Sequence, residues 1–150
     1  MSMFEASNYI KPTESLDTPE SVVIACITAY KKWSKDCQSW EKEHKGRVSE
    51  LSKGPAKDSH IKLRKHFCAP LNRQYHRSHS GYYFLGGIVD SEASVLNVVH
   101  INSKETEVYT KLTNTKNKQL RFHVVRQGTS WRIKSLSRNN GNNKWVDEYL

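Results

Sequence analysis

Four side chains that could ligate a metal lie close together in the chain: His66, Cys68, His76 and His79. A His-x-Cys followed by a His-x-x-His offers the nitrogen and sulfur donors of a tetrahedral zinc site. The spacing departs from the usual zinc patterns. The four therefore read as histidines of a basic loop beside a small core thiol. Neither a metal nor any other cofactor is expected. A second set is Lys62, Arg64, Lys65, Arg73 and Arg77 with Tyr75, Tyr82 and Tyr83. Cations on phosphates and tyrosines under bases are the chemistry of single-stranded RNA binding. No RNA-binding motif accompanies them, and a solvated cationic face accounts for them equally well. Nucleic acid is not the expected partner. A third set is Tyr109, Lys111, Arg121, His123, Arg132 and Lys134. These recur at alternate positions of three segments, so one sheet face could gather them. Arg and Tyr are the side chains that anchor protein interfaces.

What could position these groups is set first by size. The chain has 150 residues, enough for one domain and one core. Four Trp, four Phe and seven Tyr supply bulky apolar material, while a mean hydropathy of −0.76 implies a very polar surface. No apolar run approaches the ~20 residues that cross a bilayer. Residues 1–17 carry no apolar block behind a basic start, and no secretory signal is read there. Three cysteines make no disulfide framework, so a reducing compartment, the cytoplasm, is expected. The net charge is +9, distributed as −1 over residues 1–40, +6 over 41–80 and +4 over 81–150. Such a balance attracts nucleic acid, an anionic surface or an acidic protein.

The elements follow from periodicity. Residues 1–17 have no period and are expected to form a mobile arm ahead of a single domain at 18–150. Thr18-Pro19-Glu20 is a helix start, with a capping hydroxyl, a proline at the first position and an acid at the positive end of the dipole. Apolar residues then recur at Val22/Val23, Cys26, Tyr30, Trp33, Cys37 and Trp40, one stripe of a helix about 25 residues long. Gly46 and Gly54-Pro55 break the chain. Asp58 or Ser59 starts a short helix through Ile61, Leu63 and Phe67 that ends before Pro70. From Tyr82 the period becomes two. Strands are expected at 82–85, 94–101, 104–112, 119–126 and 130–136, joined by turns at Asn102-Ser103, 114–117 and Gln127-Gly128-Thr129. Trp145 to Leu150 adds a last short segment. Helices first and an antiparallel meander second give an α+β domain, with the helices covering the apolar face of the sheet.

A long first helix with Trp33 and Trp40, then a meander ending in Gly128-Thr129-Ser130-Trp131-Arg132-Ile133-Lys134-Ser135, resembles the nuclear transport factor two-like superfamily. In that superfamily a W-[RK]-I strand shortly after a glycine is common, and its tryptophan plugs a cone formed by sheet and helices. The Tyr82-Tyr83-Phe84-Leu85-Gly86-Gly87 stretch, the Glu107-Val108-Tyr109-Thr110-Lys111 strand and the Trp131-Arg132-Ile133-Lys134 strand resemble the immunity proteins of this fold, over roughly residues 18–147. The resemblance implies an α+β, cystatin-like cone and a binding role: neutralisation of one cognate bacterial toxin of a polymorphic system, with no catalytic group. Immunity proteins against nucleases are often acidic. A chain of +9 departs from that, which puts an acidic surface on the partner or makes the toxin something other than a nuclease. Dimers are frequent in the superfamily, and self-association of this chain stays open.

The competing expectation is a lyase- or isomerase-type enzyme, or a ligand carrier, working in the cone. The residues that should face the cone are Val108, Leu112, Leu120, Phe122, Val124, Trp131 and Ile133, none of which titrates. Glu105, Glu107 and His123 alternate to the other face, and the face of His100 is open. A general acid or base needs burial or a charged neighbour to tune its pKa, and the strands place no such pair inside. The expected site is therefore the polar sheet face of Tyr109, Lys111, Arg121, His123, Arg132 and Lys134, with an ordinary solvated sheet as the plain alternative. Trp145, Tyr149, Phe4, Tyr9 and Ile10 either add exposed aromatic or apolar anchors or close the core. Trp131→Ala is expected to cost ~3–5 kcal/mol as the loss of a core aromatic.

Overall fold

Thr18 opens the first helix, α1 (Pro19–Glu43), with a reciprocal cap. Its side chain accepts from the Ser21 amide at 3.1 Å, and the Thr18 amide donates back to Ser21 Oγ at 3.2 Å. Two orphan amides are thereby satisfied, and Pro19 needs no partner for the donor it lacks. The computed structural model describes residues 4–11, 15–47, 50, 54–70, 91–112, 118–139 and 144–148. The expected stripe is buried from Val22 to Cys37, and Trp40 at its end is half-buried.

The second helix, α2 (Pro55–Phe67), starts earlier than the spacing of Ile61, Leu63 and Phe67 suggested. Gly54 and Pro55, expected as a break, are its N-cap and first residue. A proline that cannot continue a helix is well suited to begin one. Five antiparallel strands follow in chain order: β1 (Ser91–Asn102), β2 (Glu105–Leu112), β3 (Gln119–Gln127), β4 (Ser130–Asn139) and β5 (Trp145–Glu148). Together they form one curved sheet. The β1–β2 turn is held by Asn102, whose Oδ1 accepts from the Lys104 amide at 2.8 Å. The β3–β4 turn needs Gly128, which sits at φ +63°. The strand expected at 82–85 lies outside the described residues, as does the turn expected at 114–117.

α1 packs across the inner face of the sheet, and α2 packs on α1. The core between them is Val22, Val23, Ile27, Tyr30, Trp33, Leu63 and Phe67 from the helices with Val108, Leu120, Phe122, Val124, Ile133 and Leu136 from the strands. Burying each large apolar side chain contributes about 1.5–3 kcal/mol, so this layer dominates stability. The fold is α+β, with helices over one face of an antiparallel meander.

Two register irregularities move side chains from where simple alternation put them. Val95 pairs with Thr110 but Asn97 with Tyr109, so a shift between them turns Val95 inward and Val99 and Ile101 outward. On β4, Val124 pairs with Ile133 and His123 with Ser135, which leaves Lys134 as the additional residue of a bulge. The start of β4 keeps an edge that β5 does not reach. The Trp131 amide there donates to the Leu16 carbonyl at 2.8 Å, and the Ala69 amide donates to the Ile133 carbonyl at 2.8 Å.

The segment expected as an arm is docked over its described part. A 3₁₀ turn at Ala6–Asn8 sets Phe4 and Tyr9 into the core, and Ile10 packs against it. The Tyr9 hydroxyl donates to Asp36 Oδ2 at 2.6 Å, and Lys32 Nζ donates to the Asn8 carbonyl at 2.9 Å. Apolar residues at positions 4, 9, 10 and 16 follow no period, because a segment that caps a core from outside need not be regular.

Candidate functional site

The strand-borne positions of the sheet's inner side are apolar. Val108, Leu112, Leu120, Phe122, Val124 and Ile133 are all buried as expected. Trp131 is only half-buried and packs at the margin of the core. His100 pairs with Thr106 on the inner side but at the exposed edge strand, with Nδ1 3.3 Å from Thr106 Oγ1. Among the described residues no Asp or Glu is buried.

Titratable groups do enter this layer from the helices, where strand alternation could not reveal them. The His60 ring lies between Tyr30, edge-on at 5.5 Å, and Trp33 at 5.0 Å. Trp33 Nε1 donates to Ser59 Oγ at 2.8 Å. The Tyr30 hydroxyl is fully buried and has no hydrogen-bond partner among the described residues. Burial pushes the Tyr30 phenol well above its ordinary range, reinforced by Cys68 and Cys26 and opposed by Arg64. Such a phenol stays neutral and is a poor acid or base at neutral pH. The helical period of α1 marks position 30 as core, but a period cannot say whether its hydroxyl finds a partner.

Of the four potential metal ligands, His76 and His79 lie outside the described residues. Cys68 ends α2 beside Ile133 of β4. Burial pushes its thiol up to about 12, in keeping with a small residue packed at the margin of the core. Among the described residues no group of three or more His, Cys, Asp or Glu converges. Of the basic and tyrosine set, Lys62 and Lys65 are exposed on α2 and Arg64 is half-buried, while Arg73, Tyr75, Arg77, Tyr82 and Tyr83 lie outside the described residues.

The outer face gathers more. Register sets Tyr109 of β2 against Arg121 of β3, and Arg121 against Ser137 of β4. The next row is Glu107, His123 and Ser135, and the one beyond is Glu105, Val125 and Arg132. Asp147 of β5 pairs with Ser137, and Trp145 with Asn139. Trp145 reaches back over the sheet, so that the Arg121 guanidinium lies 4.3 Å from the centre of its ring. Tyr109 meets the same indole edge-on at 5.8 Å. Arg121 Nε donates to Ser137 Oγ at 3.1 Å and stands 3.5 Å from Glu107 Oε2. The Tyr109 hydroxyl donates to Glu107 Oε1 at 3.4 Å. These contacts hold one arginine in one orientation over an aromatic face.

The rest of the expected set is looser. His123 Nε2 is 3.6 Å from Glu105 Oε1, an ion pair only when the imidazole is protonated. Arg132 Nη1 turns back to the Trp131 carbonyl at 3.0 Å. Lys111 and Lys134 are exposed, Lys134 on the bulge. The patch is not purely cationic: Glu105, Glu107 and Asp147 lie among Lys111, Arg121, Arg132 and Lys134. Half-exposed pairs of this kind contribute ~0.2–1 kcal/mol each and mainly orient side chains. Trp145, left open between core and surface, belongs to this outer cluster. Its place depends on the β4–β5 register, which a four-residue strand does not announce.

The outer face thus presents one prearranged aromatic and arginine cluster, above a core with no buried carboxylate among the described residues. A family model described as NTF2 fold immunity protein matches residues 18–149. Comparison with curated proteins and with solved structures gives no match. The matched span takes in α1, α2 and all five strands, and its order of elements is the one the resemblance implied. The chain belongs to the NTF2 fold immunity protein family.

Proposed function

We propose that this chain neutralises one cognate bacterial toxin by binding it and covering a surface the toxin needs, with no chemistry of its own. The observation that carries the reading is the family match over residues 18–149. The Arg121, Trp145 and Tyr109 cluster supports placing the contact on the outer sheet face, where Lys111, His123, Arg132 and Lys134 surround it. A chain of net charge +9 meets an acidic protein surface faster than a neutral one, and its on-rate falls with salt. Among the described residues no helix is long and apolar enough to cross a membrane. The proposed place of action is the cytoplasm, where the toxin would otherwise act. The test is co-expression with the toxin domain encoded beside this chain's gene. Survival of the cells and a stoichiometric complex on co-purification are expected. Cells that die as fast with the chain as without it, and toxin that elutes alone, would refute the reading.

A further inference from the structure

Arg121 is held through its Nε and through the face of its guanidinium. Its Nε is engaged by Ser137 and approached by Glu107, and its plane rests on Trp145. Its two Nη atoms have no partner among the described residues. The side chain keeps 30% of its exposure, so solvent still reaches part of it. A guanidinium whose stem is fixed and whose fork is empty has already lost the rotamer freedom that binding would otherwise cost. Two parallel N–H donors match the two oxygens of a carboxylate.

We infer, resting on the proposed toxin-binding role, that the Arg121 fork is the central anchor for one Asp or Glu side chain of the toxin, seated against Trp145 and Tyr109. The alternative anion for such a fork is a phosphate of single-stranded RNA, which could also stack on the aromatics. The surroundings favour the carboxylate. Glu107 lies in the row next to Arg121, Glu105 in the row beyond it, and Asp147 in Arg121's own row across Ser137. A polyphosphate backbone crossing the sheet would meet these three acids in turn. A single carboxylate at the fork has only Glu107 of the three close to the guanidinium. The same acids make the cluster selective, because a partner with two adjacent acids there is repelled by Glu107.

The experiment measures binding of the catalytically silenced toxin domain encoded beside this chain's gene. Arg121→Ala is expected to weaken the complex ~100-fold, as a buried anchor does. Arg121→Lys keeps the charge but neither forks nor stacks, and is expected to lose at least ~10-fold. Arg121→Lys should keep its melting midpoint within about 2 °C of the parent, which separates lost contact from lost fold. Each surface Asp and Glu of the toxin is then replaced by its amide. One of them should couple to Arg121, the double change costing ~10-fold less than the two single changes combined. Parent-like affinity of Arg121→Ala, in a chain that still protects cells, overturns the anchor and leaves the toxin-binding role standing. Tighter binding to a twelve-nucleotide oligouridylate than to the toxin overturns the choice of carboxylate over phosphate. A parent chain that neither binds nor protects removes the role, and the anchor with it.

Discussion

Removing one oxygen atom from the core should stabilise this protein. Tyr30 Oη is fully buried between α1, α2 and the sheet, and it lacks a hydrogen-bond partner among the described residues. In the unfolded chain that hydroxyl bonds to water. Folding strips the water away and supplies no partner among the described residues, which costs ~1–3 kcal/mol for an unsatisfied buried polar group. Tyr30→Phe removes the hydroxyl and keeps the ring that packs edge-on against Trp33 at 6.1 Å and His60 at 5.5 Å. The small void left behind offsets part of the gain, so a net stabilisation of ~1 kcal/mol is expected. For a domain of this size that raises the melting midpoint by about 2–4 °C. Trp33→Phe is the matched control. It deletes a donor that is in use, the 2.8 Å bond from Nε1 to Ser59, along with part of the ring. It should destabilise by ~1–3 kcal/mol. Both are read by urea unfolding at fixed pH, where an unchanged slope keeps the two midpoints comparable. A Tyr30→Phe protein that melts lower than its parent would mean that the hydroxyl is paired.

Three further outcomes follow from the same packing. Phe122→Ala should cost ~3–5 kcal/mol and Trp131→Ala distinctly less, since the first is fully buried and the second half-buried; equal losses in denaturant melts would return Trp131 to the centre of the core. Gly128→Ala should destabilise by ~1 kcal/mol through its φ of +63°, although a Cβ there meets nothing within 4 Å, and a neutral result would show that the β3–β4 turn relaxes. Stability should fall above about pH 9, because burial pushes the Cys68 thiol from 9.0 up to about 12 and raises the Cys37 thiol and the Tyr30 phenol as well. The folded state keeps these groups protonated, the unfolded chain ionises them, and the stability present at neutral pH is lost as pH rises through that window. Urea midpoints that stay level from pH 8 to pH 11 would contradict the burial of these groups.

Much of this architecture was readable from periods. Cys26, Tyr30, Trp33 and Cys37 mark the buried stripe of α1 because a helix that covers a sheet must keep one face apolar. Val108, Leu120, Phe122 and Val124 mark the inner face of the strands for the same reason. What escaped was set by pairing between segments. The bulge at Lys134 and the shift between Val95 and Asn97 change faces without changing composition. The outer cluster was legible as separate cations and tyrosines. The register then added Glu107, Ser137 and Trp145, which turn a scatter of charges into one oriented arginine. The start of α2 at Pro55 was missed because Gly-Pro marks a break and a beginning alike. Strand alternation carries no information on what the helices bring inward, so the polar atoms of Tyr30 and His60 in the interior were not legible from it.

The account stands on occlusion of a toxin by a folded surface, and one titration examines that directly. Purified toxin domain is assayed for its own activity, whatever that is, against rising amounts of this chain at a toxin concentration far above the expected Kd. Activity should fall in a straight line to zero at one chain per toxin, and the Arg121→Ala chain should leave residual activity at the same ratio. Activity that persists at a tenfold excess of the parent chain, or that declines only with time as a catalyst would make it, contradicts neutralisation by binding.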